Sequence, residues 1–143
     1  MTAADLAQVM VIECASFAEP WTKSYFLHEL SIPFSRCIVA HRPETPEVVA
    51  GYLVRWNVAC EIHLLNLAVA EGERGHGLGR KLARHVMREA CDTEASLVTL
   101  EVSIHNLPAR ALYASLGFTP VRRRSNYYGP DDHALVMHWH PDR

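Results

Sequence analysis

The run Asn66-Leu67-Ala68-Val69-Ala70-Glu71-Gly72-Glu73-Arg74-Gly75-His76-Gly77-Leu78-Gly79-Arg80-Lys81 decides the fold of this chain. Ile62 to Ala70 reads as a buried strand, and Glu71 to Gly79 as a glycine-punctuated turn that feeds a helix. The inner face of that helix is Leu78, Leu82, Val86 and Ala90, at helical spacing. Gly75, Gly77 and Gly79 let the backbone approach a ligand closely. The first helical turn adds unpaired N–H groups and the positive end of the helix dipole. A diphosphate fits such a loop. The third glycine comes too early for G-x-G-x-x-G, and no G-K-[ST] follows, so dinucleotide binding and nucleotide hydrolysis are disfavoured. Taken alone, the glycines suit a plain turn into a helix equally well.

Downstream, Ser96 to Ser103 is a strand with Val98, Leu100 and Val102 on one side. Residues 62 to 103 therefore form a strand–helix–strand crossover, expected to be parallel and right-handed. Asn106 can cap a helix ended by Gly117, and Phe118 to Val121 and Ala134 to His140 are the last strands. Upstream, Asp5 is expected to cap a helix carrying Leu6, Val9, Met10 and Glu13. Thr22 caps a second, with Phe26, Leu27 and Leu30, and Trp21 packs against its start as a hydrophobic staple. Ser35 to His41 and Val48 to Val58 form a hairpin across Pro43 and Pro46. This order predicts an α/β class with a mixed sheet flanked by helices, in one domain over residues 1–143.

The chain has 143 residues, with Lys+Arg 14 against Asp+Glu 16 and a formal charge of −2. No net positive field recruits nucleic acid or an anionic membrane, and any anion must be held by local geometry. The Arg80, Arg84, Arg88 stripe reads as a solvated face and the Arg122-Arg123-Arg124 run as a solvated strand end, so no independent nucleic-acid binding is expected. No apolar run approaches a membrane span, and Asp5 stands where a leader would be basic; a cytoplasmic protein without a membrane partner is expected. Cys14, Cys37, Cys60 and Cys91 form no C-x-x-C pair and read as reduced, mostly buried thiols. His138 and His140 share one side of a strand, but without a third ligand at metal spacing no metal is expected.

Two blocks together resemble a known family. Arg74-x-x-Gly77-x-Gly79, after the strand Asn66-Leu67-Ala68-Val69, resembles the acetyl-CoA-binding signature of the GNAT N-acetyltransferase superfamily. Asn106-x-x-Ala109-x-x-Leu112-Tyr113-x-x-x-Gly117-Phe118 is similar to its second signature. Ile12 to Phe17 leading to Pro20-Trp21, with Phe26 and Glu29-Leu30, resembles the amino-terminal helices of the ribosomal-protein-alanine N-acetyltransferases, the RimI family. Asn126-Tyr127-Tyr128 and Ala134 to Met137 resemble that family's last hairpin. The chain departs from the family pattern in lacking the short first strand, in Ala70-Glu71 where Asp-Pro is common, and in His133 where an acidic residue is usual.

The resemblance implies the GNAT fold, a central twisted mixed sheet flanked by helices, and acetyl transfer from acetyl-CoA to an amine. It implies that Leu67, Ala68 and Val69 pair through their backbone with the pantetheine amides, Val69 N–H facing the carbonyl oxygen. Arg74, Gly75, His76, Gly77, Leu78, Gly79, Arg80 and Lys81 are then expected at the pyrophosphate, and Asn106 at the cofactor besides capping its helix. Glu101 becomes the base for the amine and Tyr113 the proton donor to the leaving thiolate. On residue type alone, Glu101 reads as a solvated strand carboxylate and Tyr113 as a core aromatic. Trp21, Tyr127 and Tyr128 are implied to line a peptide groove, with the amino-terminal alanine of a small-subunit ribosomal protein as acceptor. Two alternatives stay open: a small-molecule amine acceptor, for which Glu61, Asp131 and Asp132 are the evident carboxylates, and a CoA-binding module without chemistry.

Overall fold

The computed structural model describes residues 1–142. Its α-helices are α1 (Leu6–Ser16), α2 (Lys23–Ser31), α3 (Leu78–Asp92) and α4 (Leu107–Ser115). Its strands are β1 (Ser35–His41), β2 (Val49–Val58), β3 (Glu61–Val69), β4 (Leu97–Ser103), β5 (Thr119–Gly129) and β6 (Asp132–Trp139). They form one mixed sheet in the order β1-β2-β3-β4-β6-β5. Two compact units divide the chain: Met1–Trp56 with Leu65–Ala83, and Asn57–Leu64 with the chain from Arg84 onward.

In the first unit, Leu6, Val9 and Ile12 of α1, Phe26 of α2, and Val49, Tyr52 and Val54 of β2 share one buried cluster with Ala68 of β3. Phe26 meets Tyr52 edge-on at 5.8 Å between centroids, the geometry that ring quadrupoles favour. β1 and β2 form the expected antiparallel hairpin, from Ser35 opposite Trp56 to His41 opposite Val49. Thr22 caps α2 as anticipated, its hydroxyl accepting from Tyr25 N–H at 3.1 Å. Asp5 does not cap α1. A 3-10 turn at Ala3–Asp5 precedes that helix, and the Asp5 carboxylate accepts from Thr2 N–H at 2.7 Å. The helical path thus begins earlier than the spacing suggested, and Asp5 serves its first turn from within. Of the expected α2 face, Phe26 is buried while Leu27 is exposed, and Glu29 takes an inward position instead. Gly51 is tightly enclosed: a Cβ there would lie 3.0 Å from the Ala68 carbonyl oxygen and 3.3 Å from both Leu78 and Leu82, so its neighbours would have to shift.

In the second unit, Glu61–Leu64 of β3 pairs in parallel with Leu97–Leu100 of β4, as a crossover requires. β4 pairs antiparallel with β6, from Val98 opposite Trp139 to Ser103 opposite Ala134. Val98, Leu100 and Val102 are buried, while Leu97, Thr99, Glu101 and Ser103 on the alternate face are half-buried. Asn106 caps α4 by accepting from Ala109 N–H at 3.2 Å, and Gly117 at φ +95° ends the turn beyond it. β5 is far longer than Phe118 to Val121: it runs on through Arg122-Arg123-Arg124 to Gly129 as an exposed edge strand. With solvent on both faces it has no apolar alternation to betray it. Its pairing with β6 is irregular between Arg124 and Gly129. There Asn126 takes a left-handed φ of +53°, its N–H donating to His133 Nδ1 at 2.8 Å and its side-chain oxygen accepting from Asp131 N–H at 3.0 Å. His133, the departure noted in the sequence, thus braces this hairpin. The cysteines correct another expectation, since Cys14, Cys60 and Cys91 are exposed and only Cys37 is buried.

Candidate active site

The glycine loop of the first unit has the form that an anion cradle needs. Gly75 and Gly77 sit at φ +81° and +82°, where a side chain is strained, and open space lies where their Cβ atoms would be. Lys81 N–H donates to the Gly77 carbonyl at 3.0 Å, which closes the first turn of α3 directly behind the loop. The N–H groups of that turn lie in a stretch where His76 and Lys81 are exposed and Leu78, Gly79 and Arg80 half-buried. These features fit a diphosphate: backbone donors, a dipole and flanking cations on an open surface. The Arg74 side chain is engaged elsewhere, since Nε donates to the Val69 carbonyl and Nη2 to Ser16 Oγ, each at 3.1 Å. It secures the corner where the strand Leu67-Ala68-Val69 turns into the loop, and Arg42 pairs with Glu73 beside it.

A buried carboxylate organises the rest of this unit. Glu13 is 1% exposed. Its Oε1 accepts from Trp21 N–H at 3.0 Å, and its Oε2 accepts from Asn66 Nδ2 at 2.9 Å and from the Tyr52 hydroxyl. Burial, followed by this hydrogen bond, raises the Tyr52 phenol well above its ordinary range. One side chain therefore fixes the backbone at Trp21 and the residue that opens the Leu67–Val69 segment. Trp21 is further held against Tyr25 and Phe26, with centroids at 4.5 and 5.2 Å. The sequence reading placed Glu13 on α1 without a role. Its signal was position, for a carboxylate at i+4 from Val9 falls on the apolar stripe.

In the second unit Glu101 projects from the half-buried face of β4, as expected, but it is not alone. Arg124 Nη1 donates to Glu101 Oε1 at 2.6 Å, and the guanidinium lies 4.3 Å from the centroid of the Tyr127 ring. That hydrogen bond, then the carboxylate's charge, holds the Arg124 proton more tightly than usual. Tyr127 and Tyr128 meet edge-on at 4.9 Å. Burial first, then the charges of Glu101, Tyr127, Asp132 and Tyr113, raises the Tyr128 phenol. Tyr113 is buried against Phe118 at 5.6 Å, and that burial raises its phenol too. Glu101, Arg124, Tyr127 and Tyr128 thus form one connected group, to which Tyr113 adds the smallest of the charges acting on Tyr128. Its floor is tied down by Ser103, whose hydroxyl donates to Asp132, and by a hydrogen bond between His105 Nε2 and the Asp131 carbonyl at 2.8 Å. Arg124 is the member that sequence spacing could not reveal. The pair lies 23 residues apart, and the basic run reads as a solvated strand end.

Asn106 caps α4 in the second unit; Trp21, Leu67–Val69 and the loop from Arg74 to Lys81 belong to the first. His138 and His140 do share a side, with ring centroids 6.2 Å apart, and among the described residues no group of three or more His, Cys, Asp or Glu could hold a metal ion. No helix of the described residues is long and apolar enough to cross a membrane.

Comparison with known proteins identifies the family. The profile of the Acetyltransferase (GNAT) family matches residues 6–118. A Bacillus subtilis (strain 168) protein, provisionally named a ribosomal protein bS18-alanine N-acetyltransferase, is 34% identical over 136 residues, covering 94% of this chain and 88% of that one. The Escherichia coli (strain K12) ribosomal protein bS18-alanine N-acetyltransferase is 30% identical over 136 residues, covering 93% and 89%. The crystal structure of the Escherichia coli ribosomal-protein-S18-alanine N-acetyltransferase superposes with a TM-score of 0.87 at 27% identity, covering all of this chain and 92% of that one. This chain belongs to the GNAT acetyltransferase family and is an N-acetyltransferase similar to the RimI enzymes.

Proposed function

We propose that the chain is a single cytoplasmic N-acetyltransferase domain that moves the acetyl group of acetyl-CoA to the α-amine of a protein amino terminus, alanine on a small-subunit ribosomal protein being the acceptor. The observation that carries the coenzyme assignment is the loop with Gly75 and Gly77 at positive φ, open in front of the first turn of α3. The acceptor assignment is supported by relatives of that named specificity, 34% and 30% identical over 136 residues.

Acetyl-CoA supplies a thioester whose acyl carbon is open to attack by a neutral amine. Backbone groups of Leu67, Ala68 and Val69 hold the pantetheine as an added strand would, and Val69 N–H stabilises the negative charge that develops on the carbonyl oxygen. Gly75 to Lys81 bind the pyrophosphate, with Arg74 holding the loop in shape and Asn106 contributing to the same ligand. Glu101 takes the proton of the attacking amine, directly or through water. Tyr113 gives a proton to the departing thiolate; burial raises its phenol and so weakens it as an acid, which leaves the transfer dependent on a close hydrogen bond to the sulfur. Trp21, Tyr127 and Tyr128 line the acceptor.

Acetyl transfer to peptides that begin with Ala, Ser, Met or Lys, with the added mass located to the α-amine or a side chain, tests this reading. Preference for an alanine α-amine, abolished by Glu101→Gln, is the expected result. Equal rates on free small amines and on peptides would overturn it.

A further inference from the structure

Among the described residues, Arg124 is the strongly engaged group at Glu101 that the chemistry above leaves without a task. A lone carboxylate on an open strand face is a natural docking point for a primary ammonium. Here that place is taken: Nη1 of Arg124 sits 2.6 Å from Oε1, and the guanidinium rests on the face of Tyr127. We infer that Arg124 determines which amine is accepted, because its resident positive charge at Glu101 excludes an incoming cation and admits an uncharged amine to the remaining carboxylate oxygen. The inference rests on the proposed role of Glu101 as base.

The consequence is discrimination between two kinds of amine on one protein. With reference pKa values of about 7.7–8.0 for an α-amine and about 10.4 for a lysine, roughly one α-amine in ten is uncharged at neutral pH, against fewer than about one lysine in a thousand. A lysine therefore reaches the site as a cation and must surrender its proton there, and that is the route the guanidinium opposes. The surrounding groups leave this charge balance intact. Burial raises the phenols of Tyr113 of α4 and Tyr128 of β5, the Tyr127 ring lies under the guanidinium itself, and the Asp132 carboxylate of β6 accepts from Ser103. On the same face, β5 adds the cation Arg122, β6 adds His138, and β3 adds His63, which bonds to Glu61 at 3.1 Å. Arg124 also fixes the Glu101 rotamer through one oxygen, so the other keeps a constant direction.

The test measures kcat/KM on an Ala-initiated peptide without lysine and on the same peptide with its amino terminus blocked and one lysine added. Wild type, Glu101→Gln, Arg124→Gln and Arg124→Lys are compared across pH. Arg124→Gln keeps an N–H donor and removes the charge. It is expected to lower the α-to-ε preference by about fivefold or more, the effect of one charge pair some 4 Å apart in water. Arg124→Lys retains the wild-type preference. A purely structural role would lower both substrates in proportion, and that result overturns the inference. If wild type fails on the α-amine peptide, or Glu101→Gln matches wild type, the proposed function fails and takes the inference with it. If both of those hold and the preference does not move, the inference alone fails.

Discussion

Replacing Glu13 by alanine isolates the hub that joins α1, the Trp21 backbone and the start of the Leu67–Val69 segment. The carboxylate accepts from three groups: Trp21 N–H, Asn66 Nδ2 and the Tyr52 hydroxyl. All three lose their acceptor together in a site that is 1% exposed. A buried donor left without a partner costs about 1–3 kcal/mol, so three of them, with some relief from entering water, set an expected loss of about 3–5 kcal/mol. That is a large share of the roughly 5–15 kcal/mol that holds a typical domain folded. Tyr52→Phe removes one donor and leaves the carboxylate with two, for which the expected loss is about 1.5–3 kcal/mol, the worth of a hydrogen bond to a charged group. Urea unfolding followed by tryptophan fluorescence reads both, and an unchanged m-value confines the effect to stability. The order wild type, Tyr52→Phe, Glu13→Ala must appear. If Glu13→Ala falls within about 0.5 kcal/mol of wild type, the range of an inconsequential surface change, the carboxylate is not the hub described.

Three further outcomes follow from other parts of the fold. Gly77→Ala, at φ +82° with open space around its Cβ, is expected to cost only about 1–2 kcal/mol of stability while weakening acetyl-CoA binding at least tenfold; calorimetry and thermal melting separate the two effects. Burial first, and then His140, Arg122 and His63 against an opposing Glu61, lower the His138 pKa, so the folded chain takes up that proton less readily than the unfolded one. Its contribution is complete above the unfolded value of about 6.5 and is lost as pH falls below it; urea midpoints should drop from pH 7.5 to 5, and His138→Gln should flatten the drop. Ala59 and Cys60 make the β2–β3 turn at φ 52° and 63° without a glycine, so Cys60→Gly is expected to raise stability by about 1 kcal/mol, or about 2–4 °C in Tm.

Where burial follows a period, the fold was legible in the sequence. β1 begins and ends where expected, β4 buries Val98, Leu100 and Val102 with Glu101 on the other face, and Thr22 and Asn106 cap the helices they precede. These are local features, set by alternation and by short polar side chains next to N–H groups. β5 was seen only at its start, because an edge strand wet on both faces leaves no hydrophobic pattern. Asp5 misled because a carboxylate before an apolar stripe looks the same whether it caps the helix or bonds back within its first turn. Glu13 and Glu29 read as ordinary helix carboxylates, yet both are buried. Their partners, Asn66 and Tyr52 for one, Ser35 and Trp56 for the other, are supplied by tertiary structure. For the proposed site, motif order pointed to the glycine loop, Glu101 and Tyr113. The Arg124–Glu101 pair and the engagement of Arg74 with Ser16 depend on contacts between distant segments.

Calorimetric titration of acetyl-CoA into the purified protein tests the central claim most directly. Saturable one-to-one binding, weakened by Gly77→Ala and preserved in Glu101→Gln, is the result expected of a loop that grips the diphosphate apart from the acyl-transfer base. Absence of binding heat across a range of temperatures, with the protein folded throughout, would contradict the account at its root.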